Sequence, residues 1–314
     1  PPADSRGDRR LSRPLARTSV DGGRTAHEEG GLVTDTQVMA AKASDLLTGK
    51  RALIMGVADK HSLAWGIAQQ LHAHGAQLAF TFLPEERGRF ERNLRELASS
   101  LGSDDFPMFP CEVTNDDSIA AAFDSIRSTW GGLDVLAHCI AYAGRDDLNK
   151  PFSQVSRSGY KMAMEISAYS LSAVCADAAP LMTGGGSVMT LTYNAVERAV
   201  PGYHAMAAAK AALELGVRYL AVELGPQKIR VNAISAGPVR TLSASAVKGI
   251  QQLRKFTEEI APLRENITIE DVGNTAVYLA SDLSRMVTGN IIFVDSGTHV
   301  LAGQVAAIPP EERG

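Results

Sequence analysis

The stretch RALIMGVADKHSLAWGIAQQLHAHGAQLAFTF, residues 51–82, reads as one strand–helix–strand unit. RALIMGVA (51–58) and QLAFTF (77–82) are almost continuously apolar, the pattern of strands covered on both faces in a parallel sheet. Between them SLAWGIAQQLHAHG (62–75) carries apolar residues at helical spacing, and two parallel strands need a crossover of that size. The alternation then repeats. Helices are predicted over 86–102, near 116–130, near 155–182, near 203–224 and near 270–281. Strands are predicted within 106–113, 133–144, 186–193, 229–239 and 291–297.

Seven strands in this order specify an α/β fold: a single doubly wound, Rossmann-type domain over residues 46–303 with a seven-stranded parallel sheet. The chain of 314 residues is 45% hydrophobic and 21% charged with a net charge of -4, which sets nucleic acid aside as a partner. No apolar run reaches the roughly 18 residues of a membrane span. Cys111, Cys139 and Cys175 are far apart, two of them inside apolar strand-like runs, and read as reduced core thiols; no metal site is expected. Residues 1–45 lack a periodic apolar face and balance six arginines against six acids up to Asp35. They are expected to be a disordered leader or a translated region upstream of a start at Met39. Cytoplasmic location follows, with a plastid as the alternative if the leader is a transit peptide, although its acids argue against one. Residues 304–314 are expected to be a C-terminal tail.

Ligands in such sheets bind beyond the carboxyl ends of the strands. After the first strand comes GVADKHSLAWG (56–66), where Gly56 permits a tight turn and Ser62 can cap the helix. The exposed amides of that helix start suit a pyrophosphate, and Gly66 would let the helix lie close to the strand. The second strand runs into Leu83 and Pro84, without the acid that usually meets the ribose of NAD. Glu85, Glu86, Arg87 and Arg89 follow, and an arginine there can pair with the 2′-phosphate of NADPH, so both cofactors stay open. Glu112 and Val113 are placed to meet the adenine, and CIAYAG (139–144) lets backbone approach the cofactor.

Tyr193 ends the fifth strand, and Pro201 and Gly202 then interrupt regular structure before a helix carrying Tyr203 and Lys210. Seven residues at about 100° each put the tyrosine and lysine on one helix face. A lysine there can hold ribose hydroxyls, and a phenol can donate a hydrogen bond to an oxygen that gains negative charge. Each group alone is more often ordinary packing; their convergence at one sheet edge is the clue.

From about residue 48 to 303 the chain resembles the enoyl-acyl-carrier-protein reductases of bacterial and plastid type, a divergent branch of the short-chain dehydrogenase/reductase superfamily. The resemblance is carried by GVADKHSLAWGIAQQL, EISAYSLSAV, LTYNAVERAVPGYHAMAAAKAALE, IRVNAISAGPVRTLSASAVKGI and TIEDVGNTAVYLASDLS. It implies Tyr193, Tyr203 and Lys210 at the reaction centre, with Tyr203 on the thioester carbonyl and Lys210 on the cofactor ribose. Hydride would reach the β-carbon of a trans-2-enoyl thioester, leaving an enolate that is protonated at the α-carbon. Cofactor contacts are implied at Gly56, Ser62, Leu63, Glu112, Val113, Ile140, Ala141, Lys210, Gly237, Val239 and Thr241. Substrate contacts are implied at Ala143, Tyr193, Tyr203, Met206 and Ala244. The resemblance also implies NADH or NADPH as donor, an acyl carrier protein bearing the enoyl group as partner, a mobile segment over 241–257, and a homotetramer.

The chain departs from the family pattern at Met55, Glu112, Ala141, Asn194, Ala195, HAMAAAK (204–210) and VDSG (294–297). Lys248 matches a basic family position, Gln251 and Gln252 replace others, and Arg254 and Lys255 are the substitutes one turn on. The competing reading is a carbonyl or alcohol dehydrogenase, which needs a tyrosine four residues before Lys210, where Met206 stands. A cofactor-binding protein without activity is the third.

Overall fold

The opening unit forms as its sequence requires. In the computed structural model, which describes residues 45–103, 105–241 and 250–301, β1 (Arg51–Met55) is followed by α1 (Leu63–Ala73) and β2 (Gln77–Phe82). Then come α2 (Arg89–Ser99), β3 (Met108–Pro110), α3 (Asp116–Trp130), β4 (Val135–His138) and the one-turn α4 (Arg145–Leu148). The chain continues through α5 (Arg157–Met164), α6 (Ser170–Ala178), β5 (Gly186–Thr192), α7 (His204–Leu224) and β6 (Ile229–Ala236). It closes with α8 (Ile250–Ile260), α9 (Ile269–Ala280) and β7 (Ile291–Val294). All seven strands are parallel, in the order β3-β2-β1-β4-β5-β6-β7.

The double winding follows from side chains that alternate across each strand. Leu53 and Met55 of β1 join Leu136, Val188 and Val231 under α3, α6 and α7. Ala52 and Ile54 point the other way, with Phe80, Val135 and Ile234, toward Trp65 and Leu71 of α1 and Val272 and Leu279 of α9. Two apolar layers therefore flank one sheet. Polar caps set the helix starts: Ser62 accepts from the Trp65 amide, Asn115 from Ser118, and Thr268 forms a reciprocal box with Asp271. No described helix is long and apolar enough to cross a membrane.

Several expectations need correction. The run near 155–182 is not one α-helix, because a π-helical segment, Glu165–Tyr169, separates α5 from α6. The third strand shrinks to three residues ending at Pro110, which cannot donate to a ladder. Cys111 and Cys139 lie one residue beyond β3 and β4, not within them, and Cys175 lies in α6; all three are free. Gly66 serves a helix, not the strand. A Cβ there would stand 2.2 Å from the Ile269 carbonyl oxygen of α9, and one on Gly273 would stand 2.4 Å from the Gly66 oxygen. The leader apart from Asp45, and the tail from 304, lie outside the described residues.

This crossing yields the first prediction. Gly66→Ala must push α1 and α9 apart and lower stability by about 3 kcal/mol, the upper end of overpacking costs, in denaturant titration. An unchanged midpoint would show that the two helices are not in this contact.

Candidate active site

Above the carboxyl ends of β1, β4, β5 and β6 lies a cavity of about 500 Å³, at the point where the strand order reverses. The chain turns out of β1 at Gly56 with φ 88°, and a Cβ there would meet the Cys139 carbonyl oxygen at 2.3 Å. Only glycine lets the two strand ends approach so closely. Leu63 and Ala64, the first two residues of α1, line the cavity, and the amides at those positions have no acceptor within a helix. The Ser62 hydroxyl donates to the Asp59 carbonyl at 2.7 Å and so fixes a turn whose free helix-start amides suit an anion.

The polar centre is built by β5 and α7. Lys210 is 4% exposed, and its ammonium donates to the Leu191 carbonyl at 2.8 Å. Burial lowers its pKa from 10.5 to about 8, against the attraction of Cys139 and Glu214. Glu214, one turn on, accepts from the Thr192 hydroxyl at 2.7 Å; burial raises its pKa, while that bond and Arg218 oppose the rise. Two successive residues of β5 thus hold two successive turns of α7. Tyr193 follows at once, and its ring meets that of Tyr203 edge to face, 5.0 Å between centroids. Desolvation raises the pKa of both phenols, with Asp295 adding to the rise at Tyr193 and Tyr193 to that at Tyr203. They are therefore proton donors at neutral pH.

Behind this centre lies His138, which sequence reasoning missed. It is fully buried in β4, its Nδ1 3.1 Å from the Thr190 hydroxyl and its Nε2 2.9 Å from that of Ser170. Ser170 gives its own proton to the Ile166 carbonyl, so it accepts from Nε2–H, while the Thr190 hydroxyl gives its proton to the His138 carbonyl at 2.9 Å. Desolvation, then Lys210, bring the His138 pKa to about 3, so the ring is neutral. A polar residue inside an apolar strand is the signal that could have found it.

The far wall is α4 and the loop before it. Ser167, on the π-helical segment, accepts from the Tyr142 amide at 2.9 Å and donates to the Tyr142 carbonyl at 3.0 Å. Asp147 accepts from the Ser156 amide and hydroxyl at 2.9 and 2.8 Å. Leu148 packs with Ala205 and Met206, and Ala143, Val155 and Tyr203 close the same cluster. His204 receives the Ala205 amide on Nδ1, so its Nε2–H donates to the Lys150 carbonyl at 2.8 Å.

The cavity brings together most of the residues singled out in the sequence: Gly56, Ser62, Leu63, Ala141, Ala143, Tyr193, Tyr203, Met206, Lys210, Gly237, Val239 and Thr241. Three stand apart from its lining. Val113 is buried in the core, Ile140 packs against the same core, and the Glu112 carboxylate accepts from the Thr114 amide and hydroxyl. Ala244 and Lys248 lie outside the described residues. Arg254 is half-buried and Lys255 pairs with Glu259 at 3.7 Å. Cys139 and Tyr142 of the CIAYAG stretch line the cavity as well, and Arg145 and Leu148 line it without having been foreseen. Among the described residues no cluster of His, Cys, Asp or Glu could hold a metal ion.

The model of the Enoyl-(Acyl carrier protein) reductase family matches residues 56–299. The NADH enoyl-acyl-carrier-protein reductase FabI of Nostoc sp. is 54% identical over 81% of this chain and 98% of its own length. That of Bacillus cereus is 51% identical over 82% and 99%. The crystal structure of the Bacillus cereus enoyl-acyl carrier protein reductase with NADP+ and indole naphthyridinone superposes with a TM-score of 0.79, covering 82% of this chain and 98% of that one at 51% identity. The Anaplasma phagocytophilum reductase in complex with NAD gives 0.79 over 85% and 98%, at 41% identity.

The buried ammonium makes a stability prediction. Below about pH 8 the folded protein buries a charge that the unfolded chain solvates. Between about 8 and 10.5 the unfolded chain keeps the proton and the folded one does not, so stability rises with pH through Lys210. Lys210→Met is expected to be more stable than the parent at pH 7 by about 1–3 kcal/mol, with the gap narrowing above pH 8. Parallel denaturant curves at pH 7 and 9.5 check this, and a gap that widens with pH contradicts it.

Proposed function

The chain belongs to the enoyl-(acyl carrier protein) reductase family, and from that premise we propose how its residues divide the work of reducing the double bond of a trans-2-enoyl thioester on acyl carrier protein. It is an enoyl-acyl-carrier-protein reductase of fatty acid elongation, with NADH as hydride donor. The bound cofactor supplies the hydride, and the protein's task is placement and charge. Gly56, Ser62 and the first amides of α1 hold the pyrophosphate. Lys210 spends one N–H on Leu191 and turns the others to the nicotinamide ribose. The Tyr203 phenol keeps its proton and donates a hydrogen bond to the thioester carbonyl, which stabilises the charge gathering on that oxygen as the β-carbon is reduced. The observation that carries this is the pairing of Tyr203 and Tyr193 above a buried, charged Lys210.

Reduction of a carbonyl or alcohol is disfavoured by Met206, which stands four residues before Lys210. It is 7% exposed and packs on Leu148, so that position offers no proton. NADPH is proposed as a second donor, supported by the missing acid after β2. Glu85 accepts from the Arg87 and Arg89 amides of its own loop and so satisfies its charge locally. A homotetramer is proposed as the working form, supported by apolar side chains facing outward on α7: Leu215, Tyr219 (70% exposed) and Val222 (78%) recur at helical spacing.

The test is direct. Purified protein with NADH and a crotonyl thioester is expected to consume the nicotinamide absorbance, and Tyr203→Phe to lower kcat by about 10²–10³ while cofactor binding persists. Cofactor binding without any turnover by the parent enzyme would falsify the assignment.

A further inference from the structure

The cavity carries a charge that the reaction centre does not use. Of the described residues lining it only Lys210 and Arg145 are charged, and none is an acid. Lys210 is buried and engaged. Arg145 is exposed on α4, and its side chain makes no ion pair or hydrogen bond among the described residues.

An exposed arginine is usually a flexible one, but the backbone of this one is held on both sides. Three residues before it, Tyr142 has both its amide and its carbonyl on Ser167. Two residues after it, Asp147 is fixed by Ser156 and by Lys150 at 3.3 Å, and Leu148 is wedged against Ala205 and Met206. A Cβ on Gly159 would fall 1.8 Å from the Asp147 carboxylate, so α5 too is pressed against this turn. The same apolar cluster contains Tyr203 and Ala143, which places α4 on the thioester side of the cavity. The turn at Gly56 and Ser62, which suits an anion, belongs to a different element.

We propose that Arg145 reads the phosphate of the prosthetic arm that carries the enoyl thioester, pairing its guanidinium with the phosphodiester where the pantetheine chain leaves the cavity. This rests on the reductase reading above. The planar fork of arginine matches two phosphate oxygens at once, which a lysine cannot do. Asp146 and Asp147 follow this cation on the same turn, but no acid among the described residues lines the cavity with it, and the rigid turn beneath it spares much of the ordering cost of binding. Arg145 is then a substrate-specificity residue that acts at the arm's far end while Tyr203 acts at the carbonyl.

The experiment compares crotonyl-pantetheine with crotonyl-4′-phosphopantetheine in the full-length enzyme, with Kd for NADH read separately from its fluorescence. The parent is expected to show the lower KM for the phosphorylated thioester. Arg145→Gln should raise that KM about tenfold relative to the unphosphorylated one, erasing the preference, and Arg145→Lys should restore part of it. Raised ionic strength should shrink the parent's preference and leave the variant's ratio flat. Equal KM changes for both thioesters would mean that α4 is merely structural and would overturn the proposal. So would a loss confined to NADH affinity, which would assign the arginine to the cofactor's phosphates. A parent enzyme that reduces neither thioester overturns the reductase reading itself, and this inference with it.

Discussion

Burying one ammonium group is the demand around which the carboxyl end of this sheet is arranged. A charge taken out of water without partners costs several kcal/mol, so the fold must surround Lys210 with compensation. Part comes from the Leu191 carbonyl and part from Glu214, the nearest anion along the same helix. The remaining neighbours are kept from making matters worse. His138 is held neutral between Thr190 and Ser170, and burial pushes the Cys139 thiol up to about 12, so that neither contends with the lysine for a proton at neutral pH. Lys210 therefore keeps its charge near pH 7 in a place where charge is expensive. A bound dinucleotide is the natural beneficiary.

The same arrangement fixes both tyrosines. Because Leu191 and Thr192 are each tied to α7, Tyr193 leaves the strand from an immobilised end. Tyr203 is set from the other side, by the cluster of Leu148, Ala205 and Met206 and by His204 reaching the Lys150 carbonyl. The π-helical segment completes the frame. Its extra residue turns Ser167 toward Tyr142, and Ser170 of the turn that follows toward His138. One irregularity in a helix thus serves both the floor and the wall of the cavity.

Much of this was legible in the sequence, for physical reasons. Strands buried on both faces write themselves as unbroken apolar runs, so the order of elements and the seven-stranded sheet could be read; Gly56 and Ser62 were singled out by their places after the first strand and Lys210 by its spacing to Tyr203, and all three line the cavity. What could not be read depends on contacts between distant segments. Gly66 looked like a helix–strand contact because its partner, Ile269, lies some two hundred residues away along the chain. The break between α5 and α6 has no local signature. Val113 is buried in the core and Ile140, half-buried, packs against it, because residues after a strand can turn either way and residue type alone does not say which. The departure at VDSG has a cost that only the backbone shows: Ser296 sits at φ 55°, in the region that favours glycine.

The seven-residue spacing between Tyr203 and Lys210 also means something different in the structure. α7 begins at His204, and Tyr203 precedes it with φ -116° and ψ 5°, outside the helical geometry that the spacing argument assumed. Its reach is set by the turn at Gly202, φ 80°, and by the packing around Leu148, not by two turns of helix. A tyrosine four residues before Lys210 would ride on the helix itself, one turn from the ammonium. Placing the phenol beyond the helix start moves the proton donor away from the lysine and toward the α4 wall. Met206 then takes the vacated helical position as an apolar surface, lining the cavity between donor and lysine. The centre is in this way opened for a longer conjugated group, with its carbonyl set apart from the carbon that is reduced.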